Sequence, residues 1–295
     1  MEVIYNKLQF SGHESFSCKH FWLKKGVNLL ENQHSFTDEN AVIELGVGKN
    51  MVTSIRYWCK SLNVIGENDK ISDFGSAVFS DQGLDPYLED IGTIWLLHYY
   101  LIKTNKASIY SLVFNEFRKE RTNFTKDQLH SFLKRVCIEA EELSKYNTST
   151  INTDINVFLR NYLSSEKNRI EIEDSFSNIF IELGLIQEYN KIGLDNKLEN
   201  WLKIENGKRE SLPYHIVLFT ILDNYSNTTI SFQQLSTGYN SPGNIFALTS
   251  EELYKIIIKI TDNYPEVIYS ETAGNRILQI KNTISKWEVL NEYYR

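Results

Sequence analysis

The stretch LGVGKNMVTSIRYW, residues 45 to 58, constrains this chain more tightly than any other. From Lys49 onward the apolar residues Met51, Val52, Ile55, Trp58, Cys59 and Leu62 recur at spacings of three and four, which draws one stripe along a helix. Gly46 and Gly48 stand just before that helix, and glycine tolerates positive φ without steric cost, so the backbone can turn sharply there. GVGKN therefore admits two readings: a phosphate cradle, or the tight corner between two helices of a DNA-binding unit. A Walker-type loop needs G-x-x-x-x-G-K-[ST] after a strand, because backbone amides wrap the phosphates and a hydroxyl holds magnesium. Here the first glycine is replaced by Ile43, the hydroxyl by Asn50, and the preceding segment reads as helix. No nucleotide is expected at Gly46 to Lys49.

The corner reading explains more. Opposite the apolar stripe lie Lys49, Thr53, Arg56, Tyr57 and Lys60, and no acid interrupts the run from Lys49 to Ile65. The chain as a whole carries a formal charge of -7, which argues against coating nucleic acid through bulk charge and makes this local reversal of sign informative. Cations hold phosphates while Asn and Arg read base edges, so Lys49, Asn50, Thr53, Arg56 and Lys60 are the candidate DNA contacts. The competing account is a solvated helix face. After the helix, Val64-Ile65, the turn GENDK and Ile71 read as a small β-hairpin, completing a winged helix-turn-helix.

Further along, FWLKKGVNLL reads as helix, and Thr37 as the cap of the helix that meets GVG. Asp85-Pro86 reads as a helix start, and TIWLLHYYLI, apolar on every side, as a buried helix. Thr125 with Gln128 forms a capping box before DQLHSFLKRVCIEAEEL, polar NTSTINTD separates that helix from VFLRNYL, and Gly184 ends SFSNIFIELG. The N-terminal VIYNKLQF reads as a strand or extended arm, and SSEKNR and KIENGKRE as loops. In the last part, Pro213 opens YHIVLFTIL, SFQQL is a shorter helix, Thr249 and Glu252 cap EELYKIIIKI, and VIYS and RILQI flank the turn ETAGN. The expectation is a mainly α protein with winged helix-turn-helix units flanking a helical middle region. Its domains are 1–80, 81–205 and 206–295. Arg276, beside that last turn, is either a phosphate contact at a wing tip or part of an ordinary hairpin.

Other residue groups carry candidate chemistry. His13 and Glu14 share a glycine-containing loop and could form an acid/base pair for DNA hydrolysis, or Glu14 could simply cap the next helix. With Cys18 and His20 they match no standard zinc spacing. Asp81, Asp85, Glu89 and Asp90 form an acidic cluster of the kind that holds Mg2+ or Mn2+ for phosphodiester cleavage, with Asp85 and Glu89 also explicable as a helix cap and a dipole partner. His98 on the apolar helix reads as a hydrogen-bonded core residue. Three scattered cysteines, no long apolar leader and an apolar run too short for a bilayer point to a reduced, cytoplasmic protein without membrane partners.

FSGHESF (10–16), WLKKG (22–26), LGVGKNMVTSIRYW (45–58), LDPYLED (84–90), TIWLLHYYL (93–101) and YSETAGNRILQI (269–280) together resemble a bacterial family, the domain of unknown function numbered four thousand and seven. The stretch FSCKHF departs from the family's form at Cys18 and His20. The resemblance implies a place in DNA phosphorothioation modification and phage defence, as the strand-nicking component of the single-strand system. It implies DNA as substrate and cysteine desulfurase and sulfurtransferase-type proteins as partners; Mg2+ or Mn2+ as cofactor rests on the acidic residues named above. Two rival readings remain: a non-catalytic winged-helix regulator, and a scaffold that docks sulfur-transfer partners.

Overall fold

Apolar stripes at helical spacing dominate the chain, and the computed structural model is accordingly mainly α, with two small antiparallel sheets. It describes residues 7–164, 178–193, 196–281 and 283–295. Residues 3–6 of the expected N-terminal strand, 165–169 of the expected loop SSEKNR and 175–177 of SFSNIFIELG lie outside the described residues. The chain divides into two compact units, one made of residues up to Asp90 with Tyr100–Ile204, the other of Ile91–Tyr99 with Glu205–Arg295.

In the first unit, helix α1 (Trp22–Glu31) packs on α3 (Lys49–Ser61), with the short α2 (Ala41–Leu45) between them in sequence. Gly46 ends α2 in the left-handed conformation at φ 63°, and Gly48 starts α3 in an extended one. The stripe read from the sequence faces inward: Val52, Ile55, Trp58, Cys59 and Leu62 are all buried. Burial of each large apolar side chain contributes about 1.5–3 kcal/mol, which secures α3 without any side-chain cap. Gly26 permits the close approach of α1, since a Cβ there would lie 2.6 Å from Cys59 Sγ.

The expected hairpin after α3 is not a hairpin. Ile65 and Ile71 form one isolated bridge, and Ser72 then caps α4 (Asp73–Phe79) through Gly75 N–H. The chain turns back too soon for a ladder, because Gly75 packs its α-carbon directly on the Val64 carbonyl. Thr37 likewise caps no helix: α2 starts at Ala41 with Asn40 before it. Asp85-Pro86 lies in a turn, and α5 (Ile91–Thr104) starts five residues later.

The rest of this unit contains α6 (Ser108–Leu112), a π-helical turn at Val113–Phe117 and α7 (Arg118–Glu120). Helices α8 (Lys126–Glu139) and α9 (Thr148–Tyr162) follow. The Thr125–Gln128 capping box is present in both directions. NTSTINTD, expected to be a separator, is the first half of α9: Asn147 caps it, and Ile151, Asp154 and Ile155 point inward. Gly184 ends a short 3-10 turn (Ile181–Leu183) in the left-handed conformation. Strands β1 (Asn123–Phe124), β3 (Leu198–Lys203) and β2 (Gln187–Ile192) form a sheet in the order β1-β3-β2.

The second unit contains α10 (Tyr214–Asn224), β4 (Thr229–Ser231), α11 (Phe232–Thr237), α12 (Pro242–Ile245) and α13 (Ser250–Asn263). The strands β5 (Val267–Thr272) and β6 (Asn275–Ile280) make the hairpin expected around ETAGN, and α14 (Lys286–Tyr293) closes the unit. β4 joins the hairpin to give the order β4-β6-β5. His98 is fully buried, its Nε2 hydrogen-bonded to the Ile245 carbonyl at 2.9 Å. Among the described residues no helix is long and apolar enough to cross a membrane.

Gly75→Ala would place a methyl group 2.0 Å from the Val64 carbonyl oxygen. The expected outcome is a loss of about 2 kcal/mol or more in unfolding free energy, read as a lower urea midpoint.

Candidate functional site

Lys49, Asn50 and Thr53 stand exposed at the start of α3. No side chain caps that helix end and its first turn contains no acid. Gly48 O accepts from Met51 and Val52 N–H, so the first-turn amides before them point out with the helix dipole's positive end. A Cβ at Gly46 or Gly48 would meet nothing within 4 Å, leaving the approach open. This end of α3 is chemically suited to an anion.

One turn further, the cationic ridge is matched by a partner the sequence reading missed. Asp69, in the turn GENDK, takes Arg56 Nη2 at 2.7 Å, Arg56 Nε at 3.0 Å and Lys60 Nζ at 2.9 Å. Lys60 also donates to the Glu67 carbonyl at 2.8 Å, and Lys106 pairs with the Glu67 carboxylate. Partial burial pushes the Asp69 carboxyl up, but hydrogen bonds from Arg56 and Lys60, reinforced by their charges, outweigh it and hold the group below the ordinary carboxylate value. Arg56 keeps 39% of its side-chain exposure and Lys60 17%, so the first still reaches solvent beside its partner. Arg276, exposed on β6, is shared with Glu271 at 3.2 Å and lies over the Phe232 ring.

His13 and Glu14 separate. His13 is buried at 4% exposure and hydrogen-bonds through Nε2 to Asp154 Oδ1 at 2.8 Å; Asp154 is itself 3% exposed. His13 Nδ1 accepts the Ser15 N–H at 3.1 Å, so the proton sits on Nε2 and the imidazole donates to the carboxylate. Asp154 also accepts Ser11 N–H with both oxygens. His13 O takes the Ser54 hydroxyl, and its ring stacks near Trp58. Every polar atom of this pair is occupied, and its work is to hold the loop. Glu14 beside it is exposed.

Asp85 is buried and caps the turn before α5, its Oδ1 accepting Glu89 N–H at 2.8 Å and its Oδ2 accepting Asp90 N–H at 3.1 Å. Asp81 pairs with the buried Lys24 at 2.7 Å, and Glu89 is exposed. The acidic cluster is thus divided among separate tasks. Among the described residues no three His, Cys, Asp or Glu side chains converge as metal ligands. Asp81, Asp85 and Glu89 in particular are not gathered around one point where a Mg2+ or Mn2+ could be held. Cys18 and Cys59 are buried, and burial raises both thiols, which keeps them protonated.

A polar groove of about 980 Å3 is a second feature that sequence spacing did not reveal. Ser15, the α9 residues Asn156 and Arg160, Lys126 at the start of α8, and Tyr189 and Asn200 of the sheet line it. They are far apart in sequence and share no periodicity, so only the fold collects them.

The family described as "Protein of unknown function (DUF4007)" matches residues 10–294. Two solved structures are similar over nearly the whole chain. One, described as "SspB crystal structure", has a TM-score of 0.82 and 26% identity, with 97% of this chain and 88% of that chain covered. The other, "Magnesium ion-bound SspB crystal structure", has a TM-score of 0.81 with the same identity and coverage. No curated protein matches the chain.

Two measurements check this geometry. Asp154→Ala strands His13 and Ser11 N–H in the interior, and the expected cost is about 3 kcal/mol of stability by urea unfolding. For Asp69 the folded-state value is depressed, so its stabilisation is present above the unfolded value of about 3.9 and is lost as pH falls through the folded one. The stability gap between wild type and Asp69→Asn should therefore be open at neutral pH and close as pH drops below about 4.

Proposed function

The chain belongs to the DUF4007 family, and on that premise we propose that it engages DNA as a component of a bacterial DNA phosphorothioation modification and defence system. The observation that carries the DNA-binding part is the start of α3: uncapped, free of acid, open at both glycines, and bearing exposed Lys49, Asn50 and Thr53. We read α2, the Gly46–Gly48 corner and α3 as a helix-turn-helix that offers this end to the duplex. Lys49 holds a backbone phosphate while Asn50 and Thr53 donate hydrogen bonds to phosphate oxygens or base edges. Arg56 and Lys60 contribute less, because a phosphate must displace Asp69 to use them. In the second unit the order helix, strand, three helices and hairpin supports a winged-helix reading, with Arg276 on the hairpin as its phosphate contact. Sulfur-transfer proteins of the cysteine desulfurase and sulfurtransferase type are the partners this role implies.

Strand nicking is the finer activity proposed for the system component. Similarity to the two SspB structures, one of them described as magnesium ion-bound, supports a place in the phosphorothioation system. Glu14 and Glu89 are the exposed carboxylates of the candidate set. The described residues hold no three-ligand metal site, so no cleavage step is derived from them.

The duplex reading is tested by fluorescence anisotropy against salt. Lys49→Ala is expected to weaken duplex affinity and to lower the salt slope by about one, with a smaller loss for Arg56→Ala. Unchanged affinity and slope in Lys49→Ala overturn the assignment. For nicking, supercoiled plasmid with Mg2+ or Mn2+ is expected to yield open circles, with loss in Glu14→Ala or Glu89→Ala. A regulator or scaffold leaves the plasmid intact.

A further inference from the structure

The groove of about 980 Å3 in the first unit differs from the α3 ridge in one decisive respect, the state of its cations. Arg160 donates from Nη2 to the Ser15 carbonyl at 2.5 Å and from Nε to the Asn156 carbonyl at 3.4 Å. Lys126 Nζ donates to the Asn156 side-chain oxygen at 3.0 Å. Neither cation has a carboxylate partner among the described residues, whereas Arg56 and Lys60 share Asp69. Among the described residues the single carboxylate lining the groove, Glu188, accepts a hydrogen bond from the Asn200 side-chain amide. The described lining thus carries an excess of positive charge within a chain whose formal charge is -7.

The remaining lining suits nucleotides. Asn156, Asn190 and Asn200 supply primary amides, which pair both a donor and an acceptor with a base edge. Tyr189 is half-buried and its hydroxyl is hydrogen-bonded to Asn123 Oδ1 at 3.1 Å, which fixes an aromatic ring beside the groove. Amides and a ring recessed in a concavity of this size reach bases only where they are unpaired. A duplex hides those faces in its stack.

We propose that this groove binds single-stranded DNA, with Arg160 and Lys126 on the phosphates and Tyr189 stacking on a base. The proposal rests on the DNA-engagement reading above and gives it a second site for a displaced or unpaired strand. It also assigns a purpose to the FSGHESF loop. The His13–Asp154 bond fixes the loop whose Ser15 carbonyl orients the Arg160 guanidinium. His13 and Asp154 are positioning residues for that site.

The test measures the full chain against two fluorescein-labelled probes, a mixed-sequence single-stranded oligodeoxynucleotide and the corresponding duplex, by anisotropy. The proposal expects Lys126→Ala and Arg160→Gln each to weaken single-strand binding about tenfold with a shallower salt dependence, leaving duplex affinity unchanged. Lys49→Ala is expected to do the reverse. Tyr189→Leu should lose single-strand affinity without changing the salt slope, which a misfolded chain would not reproduce; thermal melts of all variants accompany the titrations. If wild type does not bind the single strand, or if Lys126→Ala and Tyr189→Leu bind it as wild type does, the groove assignment falls. In that case intact duplex binding at Lys49 would leave the first reading standing.

Discussion

A buried imidazole donating to a buried carboxylate holds the N-terminal half of this protein in place. The loop from Ser11 to Ser15 has four residues with left-handed φ: Ser11 at 69°, Gly12 at 99°, Glu14 at 48° and Ser15 at 64°. Three of them carry a Cβ, and such conformations persist only where surrounding contacts over-determine them. Asp154 supplies that determination, accepting Ser11 N–H and His13 Nε2 while Ser15 N–H closes on His13 Nδ1. A carboxylate removed from water must be matched by donors or it destabilises the fold by several kcal/mol. The loop therefore has one arrangement that satisfies it. The same residues then dock α3, through Ser54 on the His13 carbonyl, Trp58 on the Phe16 carbonyl, and Gly12 against the Tyr57 ring.

That constraint decides where positive charge can act. α3 is held so that its apolar stripe is buried and its opposite face turns outward, but the outward face is not uniformly available. Asp69 returns from the GENDK turn and compensates Arg56 and Lys60, which leaves the uncompensated charge at the helix start, on Lys49. α9, which carries Asp154 on its inner side, carries Asn156 and Arg160 toward the groove. An acidic protein thus offers anions two local openings, each anchored by the same buried pair.

Much of this was legible in the sequence where the signal is local. The α3 stripe, the Thr125–Gln128 capping box and the hairpin around ETAGN depend on residues within a few positions of one another, and they form as the spacing dictates. The failures share a cause. Val64 to Ile71 reads as a hairpin until Gly75 draws α4 onto the Val64 carbonyl, and NTSTINTD reads as a linker until Asp154 is seen to have a partner 141 residues away. β2 and β3 escaped because their residues are mostly exposed and do not alternate. At the candidate site, spacing identified the face of α3 but not the acid that neutralises part of it. His13 and Asp85 attracted notice as chemical groups, yet each is saturated by backbone and side-chain hydrogen bonds that no sequence pattern displays.

The long helices α3 and α13 differ in the electrostatics of their first turns. α3 begins with Lys49 and Asn50, without a side-chain cap or an acid in its first turn. α13, the corresponding long helix before the C-terminal hairpin, is capped by Thr249 and begins with Glu251 and Glu252, which also tie Lys255 at 2.7 and 2.8 Å. A helix start already supplied with two carboxylates offers little to a phosphate, because the dipole's positive end is occupied. Arg276 on the adjoining hairpin is likewise shared with Glu271. Exposed Tyr254 and Ile268, with Tyr269 packed edge-on to Tyr254, give that face a more apolar character. The charge at the first turn is what distinguishes the two helices, and it makes the start of α3 chemically better suited to an anion than the start of α13.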